Sequence, residues 1–153
     1  MKLKFLLLSV YIFHILTACQ AATPVPSITT AMDSQFTLAP GQSAMITDTD
    51  LMITFDSVLS DDRCPSDVEC VASGAVSISL SVQQANEPPS NVTLETFTDE
   101  KGRSPSGPFE GITDRTKVGD YLIQIVAVTP YPKDPSIKIQ PSDYQATFVV
   151  SQN

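Results

Sequence analysis

The chain of 153 residues has no tryptophan and a single histidine, His14. That imidazole lies within an apolar N-terminal stretch that reads as a discarded leader, so the remaining chain has none. Losing it removes the usual general base, the Ser-His-Asp and Cys-His arrangements, and the commonest ligand of zinc, copper or non-haem iron. Positive charge is scarce as well, with nine basic residues against seventeen acidic ones and a net charge of -8. Such a chain has no electrostatic footprint for nucleic acid, whose binding rests on neutralising phosphates with Lys and Arg. Long hydrophobic runs are also missing. The longest, Phe5 to Leu16, falls short of the roughly 20 residues needed to cross ~30 Å of hydrocarbon. Beyond it, no window of about 11 residues or more carries a 3.6-residue period, which argues against helices.

What is present begins with two lysines in Met1 to Lys4, followed by that apolar run and then small Thr17 and Ala18. Basic, apolar and small segments in this order form a secretory signal. Leu16-Thr17-Ala18-Cys19, at the end of this leader, resembles the lipobox of bacterial lipoproteins. The resemblance implies that residues 1–18 are cleaved, that the Cys19 thiol carries a diacylglycerol, and that its new amine is acylated. Each buried methylene contributes ~0.8 kcal/mol and one chain holds only marginally, so two or three chains make a stable membrane anchor. Gln20, where retained lipoproteins carry Asp, resembles the residue of those sent to the outer membrane of a Gram-negative cell. In a host with one membrane, the anchor would hold the chain on its outer face. Removing residues 1–18 takes two lysines away, leaving seven basic against seventeen acidic residues, a balance of -10.

Residues 19–34 are rich in Ala, Thr, Ser and Pro without amphipathic period, and read as a lipidated flexible tether. Residues 35–153 read as one domain with one core. There the pattern turns to period two. Leu51, Ile53, Phe55 and Leu59 fall on one strand face, with a bulge expected near Ser57 and Val58. Val76, Ile78, Leu80 and Val82 alternate with Ser77, Ser79 and Ser81. Tyr144, Ala146, Phe148 and Val150 repeat the alternation, Val92 and Leu94 give a weaker form of it within 91–97, and Tyr121 to Val128 is apolar on both faces, as in a central strand. Turn residues separate these runs, including Pro40-Gly41, Thr47 to Asp50 and Gly119-Asp120. An antiparallel β-sandwich of about seven strands is the expected fold, with a small closed barrel as the alternative.

Cys64 and Cys70 sit in SDDRCPSDVECVASG. With Cys19 acylated they are the only free thiols of an exported chain, so a disulfide is expected. Their spacing is not CxxC, and Asp61, Asp62, Asp67 and Glu69 crowd the only nearby cation, Arg63, which argues against a stabilised thiolate. Those four carboxylates are a candidate calcium set, since Ca²⁺ takes six to eight oxygen ligands, although they match no EF-hand. The connection Thr98 to Val118 exceeds the ~12 to 15 residues usual inside a domain. It holds Lys101, Arg103, Arg115 and Lys117, a candidate contact for an anionic partner, and reads as a solvated connection with a short strand around Phe109 to Thr113.

The run DDRCPSDVECVASGAVSISLSV, with GDYLIQIVAVTPYP and DYQATFVV further on, resembles a group of small bacterial lipoproteins and exported domains. In that group an Arg-Cys-Pro segment follows a strand, a second cysteine and commonly Trp-x-Gly come next, and a late strand ends in Pro-Tyr-Pro. Here Ala72 stands where the aromatic usually does. The resemblance implies a β fold in the cell envelope and carries no activity. The leading expectation is therefore a non-enzymatic, lipid-anchored interaction or structural module, requiring no cofactor and engaging an envelope protein or ligand. One alternative is an inhibitor or ligand-binding module presenting the Cys64 to Cys70 loop or the 98–118 loop. Another is a hydrolase working through carboxylates alone.

Overall fold

The inward half of the clearest alternation, Val76, Ile78, Leu80 and Val82, is buried in the structure, a computed structural model that describes residues 26–107 and 109–153. Cys19, Gln20 and the expected leader lie outside the described residues. Among those described, nine strands follow one another along the chain. They are β1 (Ile28–Thr30), β2 (Phe36–Leu38), β3 (Ser43–Ile46), β4 (Leu51–Asp61), β5 (Val76–Gln84), β6 (Ser90–Thr96), β7 (Arg115–Val118), β8 (Tyr121–Thr129) and β9 (Gln145–Gln152). The only helical element among the described residues is a 3-10 turn at Pro141–Asp143.

The strands form two sheets, a five-stranded one in the order β1-β3-β4-β5-β6 and a four-stranded one in the order β2-β9-β8-β7. All pairings are antiparallel except β1 with β3. The sheets do not close on each other, so the fold is a β-sandwich and not a barrel. One face of each sheet supplies the core, as period-two patterning requires. Phe55 of β4 meets Phe148 of β9 edge-on across the layers, with ring centroids 6.3 Å apart. Phe36 of β2 completes the aromatic centre 5.8 Å from Phe148.

Three local readings change. Leu59 was expected beside Leu51, Ile53 and Phe55, yet it is 57% exposed. The register of β4 against β5 shifts twice, between Phe55 and Ser57 and again between Val58 and Ser60. Each bulge reverses the alternation, so Val58 packs on the core and Leu59 turns outward. The sheet also begins earlier than Gln35. Ile28–Thr30, within the stretch read as tether, pairs with β3, and the Asp33 amide donates to the Val150 carbonyl at 2.8 Å. Three residues are too few for a period to show. Finally, no strand forms at Phe109 to Thr113 among the described residues; the ladder runs instead through Arg115–Val118.

β8 is an interior strand, as its composition predicts, but β7 flanks only its first half. Along the second half, Ser104 donates to the Val126 carbonyl at 2.8 Å and Val128 donates to the Gly102 carbonyl at 2.7 Å. The long 98–118 connection is thus partly sheet. The pairings place the ends of β4, β6 and β8 and the starts of β5 and β9 at one end of the sandwich. Arg63, Cys64, Cys70 and the 130–144 segment belong to that end.

Candidate functional site

Leaving β4, the chain runs Asp61-Asp62-Arg63-Cys64-Pro65 and turns Arg63 inward, where its side chain has no exposure to solvent. A guanidinium carries five N–H donors, and burial requires a partner for each. Nε and Nη2 grip the Asp61 carboxylate as a fork, at 2.7 Å to Oδ1 and 2.6 Å to Oδ2. Nη2 also donates to the Pro130 carbonyl at 2.9 Å. Nη1 donates to the Val128 carbonyl at 2.8 Å and to Thr98 Oγ1 at 3.2 Å. The guanidinium carbon lies 5.1 Å from the centre of the Tyr131 ring, within cation–π range. One side chain therefore ties the exit of β4 to the end of β8 and to the connection after β6.

Asp61 is equally occupied. Besides the fork, it accepts the Arg63 backbone N–H at 3.3 Å and the Tyr144 hydroxyl at 3.0 Å. Tyr144 enters β9, so the pair also fixes where the last strand begins. Burial pushes the Tyr144 phenol up to about 12, and the nearby Asp61 charge and the hydrogen bond to it add to the rise. The ring stays neutral and acts as a proton donor in the tie.

Cys64 and Cys70 form a disulfide with Cα atoms 6.0 Å apart. The bridged loop lies against the segment after β8 through two amides, Ser66 to the Pro132 carbonyl at 3.1 Å and Asp67 to the Lys133 carbonyl at 2.9 Å. Its base is closed by Asp62 N–H to the Ala75 carbonyl at 3.0 Å and Gly74 N–H to the Asp62 carbonyl at 2.9 Å. A Cβ at Gly74 would strike the Asp62 carbonyl, so glycine is required by close approach. Between the loop and the 132–139 segment lies a groove of about 320 Å³. Asp61, Arg63 and Tyr144 are among its lining residues, along with Pro65, Pro132 and Ile137.

The candidate calcium set does not assemble. Asp61 is committed to Arg63 and Tyr144, while Asp67 and Glu69 are exposed on the disulfide loop. Among the described residues, no three His, Cys, Asp or Glu side chains are grouped to hold a metal ion. Spacing in sequence suggested a cluster because the ion pair that occupies Asp61 was not visible there.

Of the four basic residues of the 98–118 connection, three sit along the β7 side of the four-stranded sheet, where Arg103 bridges to Ala127, Arg115 pairs with Gln124 and Lys117 pairs with Leu122, while Lys101 lies in a turn. Two of them are neutralised locally. Arg103 forks Asp99 at 2.8 and 2.6 Å, and Arg115 forks Asp114 at 2.8 Å through both contacts. Hydrogen bonds from these arginines lower the carboxyl pKa of Asp99 and of Asp114. Lys101 and Lys117 are exposed. The connection thus offers less free positive charge than its composition suggests.

In the sequence Arg63 stands out only as a neighbour of the cysteines. Apart from Asp61, its partners lie 35 to 67 residues away along the chain, so no local spacing announces them. The available signal is a basic residue two positions past the end of a strand, with Pro-Tyr-Pro following a later one. No protein-family model matches the chain, and comparisons with curated proteins and with solved structures give no match either.

Proposed function

We propose that the protein is a lipid-anchored, non-enzymatic module of the cell envelope that presents the disulfide-braced end of a β-sandwich to another envelope protein. The observation carrying this reading is the use made of that end. Its one buried cation is fully spent on Asp61, Thr98 and two backbone carbonyls, and the Asp61 carboxylate on Arg63 and the Tyr144 hydroxyl. What faces outward is a disulfide-tied loop docked on a proline-rich segment, a shaped surface held in place. Tyr144, the most perturbed acid there, is held protonated by its surroundings.

Anchoring rests on Leu16-Thr17-Ala18-Cys19 and on the resemblance to small exported lipoproteins. The acyl chains would hold a body whose acidity repels anionic head groups, and Gln20 favours the outer membrane where the host has one. Mass spectrometry of the natural product tests this: Cys19 at the N-terminus with a diacylglycerol is expected, and a retained Met1 would overturn it. Interaction is tested by cross-linking in intact envelopes, comparing the native chain with chains in which residues 65–69 or 99–113 are replaced by Gly-Ser linkers. A partner lost on replacing the disulfide loop is expected; no partner above background from the native chain would sink the reading.

A further inference from the structure

We infer that the groove at the disulfide-braced end, together with the tip of the Cys64–Cys70 loop, docks an extended basic segment of a partner protein that also carries apolar side chains. This inference rests on the interaction reading above and identifies its contact surface. Three features of the same end support it.

The first is charge. Among the described residues, the salt bridges join Arg63 to Asp61, Arg103 to Asp99 and Arg115 to Asp114. Of the residues lining the groove this leaves Asp134 without a cationic partner, with Lys138 also on the wall, while the adjoining loop tip adds exposed Asp67 and Glu69 beside Lys133. Arg63 itself offers an anionic ligand no free donor, since each of its guanidinium N–H groups is already donated. Asp134 lines the groove, and donation from the Ser136 hydroxyl and amide lowers its pKa, so it stays ionised.

The second is exposed apolar surface in the same place. Val68 and Val71 project from the disulfide loop and its flank, and Ile137, on the groove wall, is 68% exposed. Hydrogen bonds from Ser66 and Asp67 to residues 132 and 133 hold the two segments together. Three free carboxylates, Asp67, Glu69 and Asp134, outnumber the two lysines beside these apolar side chains, a balance complementary to a segment that alternates Lys or Arg with aliphatic residues.

The third is rigidity. The disulfide, the Arg63 tie and three prolines on the walls, Pro65, Pro132 and Pro135, fix the groove before anything binds, which reduces the ordering cost of association. Those prolines have no N–H to donate. At those three positions an added strand would find no donor.

The test uses the full lipidated chain in a non-ionic detergent and the fluorescent peptide acetyl-Lys-Leu-Lys-Pro-Leu-Lys-amide, with the peptide in which Glu replaces each Lys as its counterpart. Anisotropy at low salt should show binding of the basic peptide and none of the acidic one. Combining Asp67→Asn, Glu69→Gln and Asp134→Asn should weaken binding by about fivefold or more and flatten its salt dependence. Ile137→Ser should weaken it with the salt dependence kept. Thermal melting of each variant checks that the fold is retained; all four positions lie outside the Arg63 tie. As a control, Asp48→Asn, Glu87→Gln and Asp120→Asn remove three carboxylates from turns at the other end of the sandwich. The inference falls if the basic peptide does not bind, if the groove variants bind as well as the native chain, or if the control weakens binding equally. If envelope cross-links survive the groove substitutions, the interaction reading stands and this surface is wrong; if the native chain gives none, the interaction reading itself fails.

Discussion

Burial of a guanidinium is tolerated only when its desolvation is met donor for donor, and at Arg63 the matching is complete. Lysine cannot substitute, because a single ammonium on a flexible stem cannot reproduce the fork to Asp61 and reach the carbonyls of Val128 and Pro130 together. Removing the side chain strands the Asp61 carboxylate, whose side chain is only 10% exposed, next to two carbonyls without donors. Arg63→Ala should therefore cost about 3–5 kcal/mol of unfolding free energy, the range for breaking a buried pair, and Arg63→Lys should recover only part of it. Urea denaturation followed by circular dichroism measures both. A loss below about 1 kcal/mol for Arg63→Ala would place this contact with ordinary surface ion pairs. Tyr144→Phe removes one hydrogen bond to Asp61 and leaves the ring in place, so its cost should be about 1 kcal/mol, at most 2.

For the elements, alternation was legible wherever the ladder is regular. Val76 to Val82 and Tyr144 to Val150 point inward as read, because period two maps directly onto the faces of an unbroken strand. It failed at Leu59, where two bulges intervene, and at β1, which is too short to carry a pattern. The cysteine pair was readable from redox logic, whereas the tie beneath it was not, since its partners come from the ends of distant strands. Besides the disulfide, the loop between the cysteines is held by hydrogen bonds and not by packing, because no residue from Cys64 to Ser73 is buried. Replacing both cysteines by serine should cost about 2 to 2.5 kcal/mol by the chain-entropy account. The loss should appear as faster proteolysis within residues 65–73, with the core strands still protected from hydrogen exchange. Gly74→Ala attacks the same loop from its base, by forcing a methyl group into the Asp62 carbonyl. It should destabilise by about 1 kcal/mol or more with the disulfide intact. Equal stability of that variant would show that the base of the loop can move aside.

Over the whole molecule, the acidic excess and the few perturbed groups together set the pH range in which the fold is stable. Asp99, Asp114 and Asp134 have folded pKa values below the ordinary 3.8. The unfolded chain therefore takes up protons first as pH falls. The stabilisation these groups give is present above about pH 4 and lost as pH drops through their lowered values. Asp99 and Asp134 are open to solvent, so screening keeps their share small. Asp114 is buried as a residue and carries more of the acid limb. At the other extreme, Tyr144 has a folded pKa of about 12 against an ordinary 10. Its contribution is complete below pH 10 and disappears as pH rises towards 12, where the unfolded chain has already released the proton. Melting temperature against pH should thus show a plateau bounded by these two limbs. Asp114→Asn should flatten the acid side and Tyr144→Phe the alkaline side, each lowering the plateau without erasing the other limb. An alkaline limb unchanged by Tyr144→Phe would mean that lysine deprotonation or general charge repulsion sets the upper bound, and that the tie between Asp61 and the last strand contributes nothing there.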